Sequence, residues 1–168
     1  MPNEHKEGAG KEHPKTHLIL LVSILLFAPI CILDSLVFNI STHLTLVIPL
    51  FVRIILCVII LVIAIAFMQL SEKAVFSDEE VKPLKKTGIF AHVRNPMYLS
   101  IPLIFIAFVF LTMSLISIVP IIITFTMYTN MVKFEEKDLE KIFGQEYLEY
   151  KGKVPRWLPR TTPAKFQN

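Results

Sequence analysis

Polar and apolar residues in this chain fall into long separate blocks. The first sixteen residues are polar, and three apolar stretches follow: His17 to about Asn39, about Leu44 to Leu70, and Met97 to about Met131. A bilayer core about 30 Å thick needs roughly 20 mostly apolar residues per spanning helix, and each stretch meets that length. The third is too long for one pass. Its 34 residues from Met97 to Asn130 carry no charge, and as a single helix they would extend about 50 Å. Two passes joined near Thr112-Met-Ser114 fit better, with Pro120 marking a kink in the second. The pattern predicts an all-α integral membrane protein with four transmembrane helices, about 17–39, 44–70, 97–112 and 115–133. These form a membrane domain over 17–160, between a polar N-terminal tail (1–16) and a C-terminal tail (161–168).

Composition agrees with this reading. The chain has 168 residues, 54% of them hydrophobic, and a mean hydropathy of +0.59. A soluble domain of that size leaves too much of its surface wet to hide so many apolar side chains. No cleavable leader is evident, because no small-residue cleavage site follows the first apolar run. Cys31 and Cys57 both lie deep in apolar segments, so they read as small buried side chains rather than as a disulfide.

The net charge of +3 says little, but its distribution says more. Lysine and arginine gather in residues 71–96 and again from Lys133 onward. Both regions belong in the cytoplasm under the positive-inside rule, which requires an even number of crossings between them. Both termini are therefore expected on the cytoplasmic side, in a prokaryotic cell membrane rather than the endoplasmic reticulum. Asp34 and Arg53 interrupt the first two apolar segments. Intramembrane charges are costly and usually face a partner or a cavity, so the two are expected to pair, with interfacial snorkelling or a transport role as alternatives. Asn39-Ile-Ser41 has the form of a glycosylation site but sits too close to the membrane to serve as one.

Several chemistries are excluded. His13 and His17 are four apart with Pro14 between them, and the other histidines are scattered, so no metal site is expected. A glycine-rich phosphate loop and a Gly-x-Ser-x-Gly elbow are absent. No nucleic-acid partner is expected either; the partner implied by composition is the lipid bilayer. What remains are two polar segments. The first, Pro83 to Ser100, reads "PLKKTGIFAHVRNPMYLS". Asn95 suits a helix N-cap and Pro96 the first helical position, and Arg94 and Tyr98 suit the lipid interface. Helix initiation does not explain why Thr87-Gly88 precedes Asn95-Pro96. The second segment, from Phe134 to Arg160, reads "FEEKDLEKIFGQEYLEYKGKVPRWLPR". Leu139, Ile142 and Phe143 mark one face of a helix continuing the fourth span, and Gly144 suits its C-terminal stop. Glu135 and Glu136 read locally as a solvated pair. Val154-Pro-Arg-Trp-Leu-Pro159 is too stiff and apolar for a free tail and is expected to pack back on the protein or lie at the interface.

Together these two segments resemble a family of membrane methyltransferases that includes isoprenylcysteine carboxyl methyltransferase and the phospholipid methyltransferases. The family phrase Leu-Val-Thr-Thr-Gly-x-Tyr-x-x-x-Arg-His-Pro-x-Tyr corresponds here to Leu84-Lys-Lys-Thr87-Gly88-Ile-Phe90-Ala-His-Val-Arg94-Asn95-Pro96-Met-Tyr98. Its second motif corresponds to Glu135-Glu136, Leu139, Phe143-Gly144, Glu146-Tyr147, Tyr150 and Val154-Pro155-Arg156. The resemblance covers about residues 82–160 and implies S-adenosyl-L-methionine as cofactor, held on the cytoplasmic side by the loop before the third helix, the last two helices and the tail. It implies that Pro83, Leu84, Lys85, Phe90, Asn95, Pro96, Met97 and Tyr98 line the pocket, with Glu135 as a polar cofactor contact. No catalytic residue is assigned; Arg94 and Arg156 are candidate substrate orienters. Asn95 stands where the family has histidine. Met131 stands where isoprenylcysteine enzymes carry an arginine for the substrate carboxylate, leaving Lys133 or Arg156 for that role. The function implied is methyl transfer to a lipophilic acceptor entering from the bilayer, an isoprenylcysteine carboxylate or a phospholipid-type head group. The alternatives are an NADPH-dependent sterol-type reductase and a non-catalytic membrane scaffold or transporter.

Overall fold

The computed structural model of the chain describes residues 15–75 and 84–166, so Pro83 lies outside the described residues. These residues form five α-helices: α1 (Lys15–Leu33), α2 (Leu50–Val75), α3 (Pro96–Thr112), α4 (Ile118–Phe143) and α5 (Gln145–Lys153), with no strand among them. Three segments are long and apolar enough to cross a membrane: Thr16–Phe38, Leu50–Glu72 and Leu115–Phe143. The fourth, α3, is shorter at 17 residues, about 25 Å of helix.

The ends of these helices differ from the hydropathy pattern for local reasons. The first helix leaves α geometry at Leu33 and continues as a π turn, Asp34–Phe38, closed by Asn39 at φ +50°. The second begins at Leu50 rather than near Leu44. Residues His43–Leu46 form a separate 3-10 turn. Pro49 then intervenes, and a proline disfavours helical geometry in the residue before it while leaving its own carbonyl free. That carbonyl accepts from Val52 N and Arg53 N. The break between the last two apolar helices falls where expected: α3 ends at Thr112 and Met113 turns left-handed at φ +57°. Pro120 is the third residue of α4, in the first turn, where its missing N–H has no helical partner to lose.

The chain divides into two compact units. The first holds residues 15–65 and 100–129. Its core joins Phe27 and Cys31 of α1, Phe105 and Val109 of α3, and Ile121 of α4. The Phe27 and Phe105 rings stack with centroids 4.6 Å apart. Cys31 and Cys57 are both buried and free. Within this unit α2 buries only Cys57 and Ala64 and exposes Phe51, Ile55, Ile59 and Val62. Large apolar side chains exposed along a whole helix are what a lipid-facing surface requires. The chain is a multi-pass integral membrane protein.

Asp34 and Arg53, expected to pair, are held apart by better local partners. Asp34 is buried, and its Oδ1 accepts from Ile40 N at 2.9 Å and Ser41 N at 3.1 Å. Its Oδ2 accepts from Ser41 Oγ at 2.5 Å and Ser114 Oγ at 2.6 Å. Four donors from two turns satisfy the carboxylate without a cation. Arg53 Nη1 instead donates to Leu111 O at 3.1 Å, one of the last carbonyls of α3, which carry unsatisfied partial negative charge.

The second unit holds the described parts of residues 66–99 and 130–166. Its core is Tyr147, Tyr150 and Val154, with Leu84, Leu139, Phe143, Ala164 and Phe166 packed against them. All the residues of the two sequence motifs that the structure describes lie in this unit.

Candidate cofactor site

The loop before α3 enters through Gly88, whose φ of +60° is left-handed and favours glycine. A 3-10 turn, Gly88–Ala91, follows. The tail beyond α5 folds back on this loop through backbone hydrogen bonds. Arg94 N donates to Pro155 O at 3.0 Å, Arg160 N to His92 O at 3.0 Å, and Ala164 N to Ala91 O at 2.9 Å. His92 Nδ1 lies 2.7 Å from Arg160 O. The stiff apolar stretch after Val154 thus packs on the protein, as its composition predicts.

Side chains lock the same contact. Tyr150 OH donates to Phe90 O at 2.9 Å, and Lys86 Nζ meets Glu146 Oε1 at 2.7 Å. Burial pushes the Tyr147 and Tyr150 phenols up, with nearby carboxylates adding to the effect at Tyr147. Both hydroxyls therefore stay protonated across the physiological range.

Glu136 is the hub of this unit. It is 3% exposed. Arg156 Nε donates to its Oε1 at 3.0 Å and Arg156 Nη2 to its Oε2 at 2.6 Å. Asn95 Nδ2 lies 3.4 Å from Oε1, and so does Arg94 Nη1. The hydrogen bonds that Arg156 donates to Glu136 raise its pKa, so this guanidinium is a permanent cation. Arg94 and Asn95 from the first motif thus meet Glu136 and Arg156 from the second.

The predicted site residues divide into four groups. Arg94, Asn95 and Arg156 converge on Glu136. Phe90 is tied through its carbonyl to Tyr150, and Leu84 packs on the Tyr147 core. Pro96, Met97 and Tyr98 form the first turn of α3, with Pro96 and Tyr98 buried and Met97 half-buried; Lys85 is half-buried in the loop. On α4, Met131 is buried and Glu135 half-buried.

The sequence singles out Glu135 as a cofactor contact and leaves its neighbour Glu136, as part of a locally solvated pair, without a role. A signal was available: Val132 and Glu136 are one helical turn apart, and Val132 is fully buried. The arginine in Val154-Pro155-Arg156 was the cation such a buried carboxylate requires.

Arg94 retains capacity for a ligand. Its side chain is only 9% exposed; its Nη1 faces Glu136 Oε1 as an ion pair without hydrogen-bond geometry, and its Nε is buried without a hydrogen-bond acceptor. A buried guanidinium N–H without an acceptor suits a carboxylate or a similar oxyanion. Among the described residues, no group of three or more His, Cys, Asp or Glu side chains is placed to hold a metal.

No curated protein and no solved structure matches the chain significantly. A family model described as phospholipid methyltransferase does match, over residues 42–146. That span includes α2, the Arg94–Tyr98 phrase, α3, α4 and the Glu135–Glu136 pair. With more than half of its length matched, the chain belongs to the phospholipid methyltransferase family of membrane methyltransferases.

Proposed function

We propose that the protein transfers a methyl group from S-adenosyl-L-methionine to a lipophilic acceptor. The observation that carries this reading is the meeting of two motifs, about forty residues apart, at Glu136: Arg94 and Asn95 on one side, Arg156 on the other. In this reading Pro83, Leu84, Lys85, Phe90 and Asn95 to Tyr98 line the cofactor pocket and Glu135 makes a polar contact. The residues fit the group: the Arg94 Nε–H, buried without an acceptor, suits its amino-acid carboxylate, and the buried Tyr98 ring suits a neighbouring cation. Four crossings with cytoplasmic termini complete the proposal.

Bound S-adenosylmethionine would supply an activated methyl group on sulfur. The reaction is an in-line displacement in which the acceptor's lone pair forms the new bond to carbon while the C–S electron pair returns to sulfur. The protein's part is to align the two partners and exclude water, which supplies most of the acceleration in such a step. Glu136 fixes Arg94 and Arg156, and so holds the loop and tail that enclose the pocket. A carboxylate acceptor needs no base, and an amine must first lose its proton. Met131, buried and uncharged, offers no cation to a substrate carboxylate, which favours a phospholipid-type head group over isoprenylcysteine.

The test is calorimetric titration of the detergent-solubilised protein with S-adenosylhomocysteine, with NADPH as the control. Saturable binding of the first alone supports the transferase. Binding of NADPH alone would replace it with a reductase, and binding of neither would remove the enzymatic reading.

A further inference from the structure

The C-terminal half of α4 also lines a cavity that shares Glu136 and Arg156 with the site described above. Asn130, Lys133, Phe134, Lys137, Lys151 and Arg156, with Glu136 and Glu140, line a pocket of about 500 Å³. That is the size range of small-ligand sites, roughly 300–1,000 Å³. Four cations face two carboxylates, and both carboxylates are already engaged. Glu136 is held by Arg156 and Arg94, and Glu140 by Lys151. Lys133 and Lys137 make no ion pair among the described residues; Lys137 Nζ lies 5.9 Å from the centre of the Phe134 ring. The pocket therefore has an uncompensated positive charge that an anion would neutralise.

Position narrows the anion. From Ile118 to Val132 α4 carries no charge, and Lys133 is the first charged residue after that stretch. The pocket thus begins where an apolar helix reaches the depth of lipid head groups. Phe134, 63% exposed beside the two lysines, offers apolar contact where glycerol and acyl carbons begin. The two lysines also stand apart from the proposed cofactor contact at Glu135. At about 100° per residue, Asn130, Lys133, Phe134 and Lys137 share one face of α4, and Met131 and Glu135 lie on another.

We infer that this pocket binds the phosphate of an anionic membrane lipid, with Lys133 and Lys137 as its principal contacts. Juxtamembrane lysines attract anionic lipids in general; a pocket with two uncommitted ammonium groups beside a fixed guanidinium gives that attraction one site.

Trp157, the only tryptophan in the chain, adjoins Arg156 and reports on the pocket by its fluorescence. The full-length protein in neutral detergent is titrated with phosphatidylglycerol, phosphatidylcholine or inorganic phosphate. The expected result is a saturable change with phosphatidylglycerol, at least tenfold tighter than with phosphatidylcholine and weakened by salt. The double variants K133Q/K137Q and K133E/K137E lose that affinity by tenfold or more while their unfolding temperatures stay at the parent value. K165E, which alters an exposed lysine outside the pocket, leaves it unchanged. Unaltered affinity in either folded double variant overturns the site, as does equal binding of phosphatidylcholine. Inorganic phosphate binding as tightly as the lipid overturns the lipid assignment. None of these measurements requires S-adenosylmethionine binding or methyl transfer, so they stand or fall apart from the proposed activity.

Discussion

Arg156 grips both oxygens of Glu136, at 3.0 Å from Nε and 2.6 Å from Nη2, across twenty residues of chain. The planar fork of a guanidinium matches a carboxylate in a way an ammonium cannot. Glu136→Ala leaves two guanidinium groups without their counter-charge, one of them almost fully buried, and should cost about 3 kcal/mol. Arg156→Lys keeps the charge but loses the fork and should cost about 1 kcal/mol. Thermal unfolding in detergent measures both. A Glu136→Ala protein as stable as its parent would remove Glu136 as the hub.

Glu135 should behave in the opposite way. Glu135→Ala is expected to abolish S-adenosylhomocysteine binding while the unfolding temperature holds. Unchanged affinity in that folded variant takes Glu135 out of the cofactor site and leaves the tail's contribution to Glu136 alone.

Met131→Arg supplies the cation that isoprenylcysteine enzymes have at this position. The expected outcome is a gain in methylation of a farnesylcysteine analogue, from none to measurable. No gain in a folded, cofactor-binding variant would count against Met131 as the residue that excludes carboxylates.

Asp34 accepts four hydrogen bonds from two turns. Asp34→Ala strands these donors in a buried place and should destabilise the protein by about 3 kcal/mol. Asp34→Asn, which keeps one acceptor oxygen, should cost about half of that. If ion transport depended on Asp34, flux across reconstituted vesicles would fall in the Asn variant; no flux is expected from either protein.

Gly144 separates α4 from α5 at φ +54°, ψ −127°. A Cβ added there would meet no heavy atom within 4 Å, so backbone strain alone sets the cost of Gly144→Ala, about 2 kcal/mol. Gly152→Ala provides the contrast: it too has open space, its φ is not positive, and α5 should tolerate it within about 0.5 kcal/mol. Equal effects at the two positions would contradict the strain account.

Much of the architecture was legible because lipid imposes a simple rule on sequence. Uncharged length located all four apolar helices, and the break near Thr112 followed from counting residues. Local polar chemistry was less legible. Asp34 and Arg53 suggested each other by sign, but hydroxyls and amides at the Asn39 and Met113 turns served Asp34 better, and a helix-end carbonyl served Arg53. Pro120 read as a kink because its place in the first turn depended on where α4 began. Within the candidate site, the two motifs were recognisable by their resemblance to a known family. The choice between Glu135 and Glu136 as the buried carboxylate depended on helical phase and on Arg156, which only the folded tail brings near.

The backbone pairing of Ala91, His92 and Arg94 with Ala164, Arg160 and Pro155 also fixes an order of events during synthesis. The loop leaves the ribosome some sixty residues before its partners, and two apolar helices are made in between. Until the strap around Pro155 emerges, Glu136 lacks Arg156 and the loop lacks its backing. A ribosome stalled within α4 would therefore leave an inserted but inert fragment in the membrane, and the enclosure proposed for the cofactor could close only when translation is nearly done.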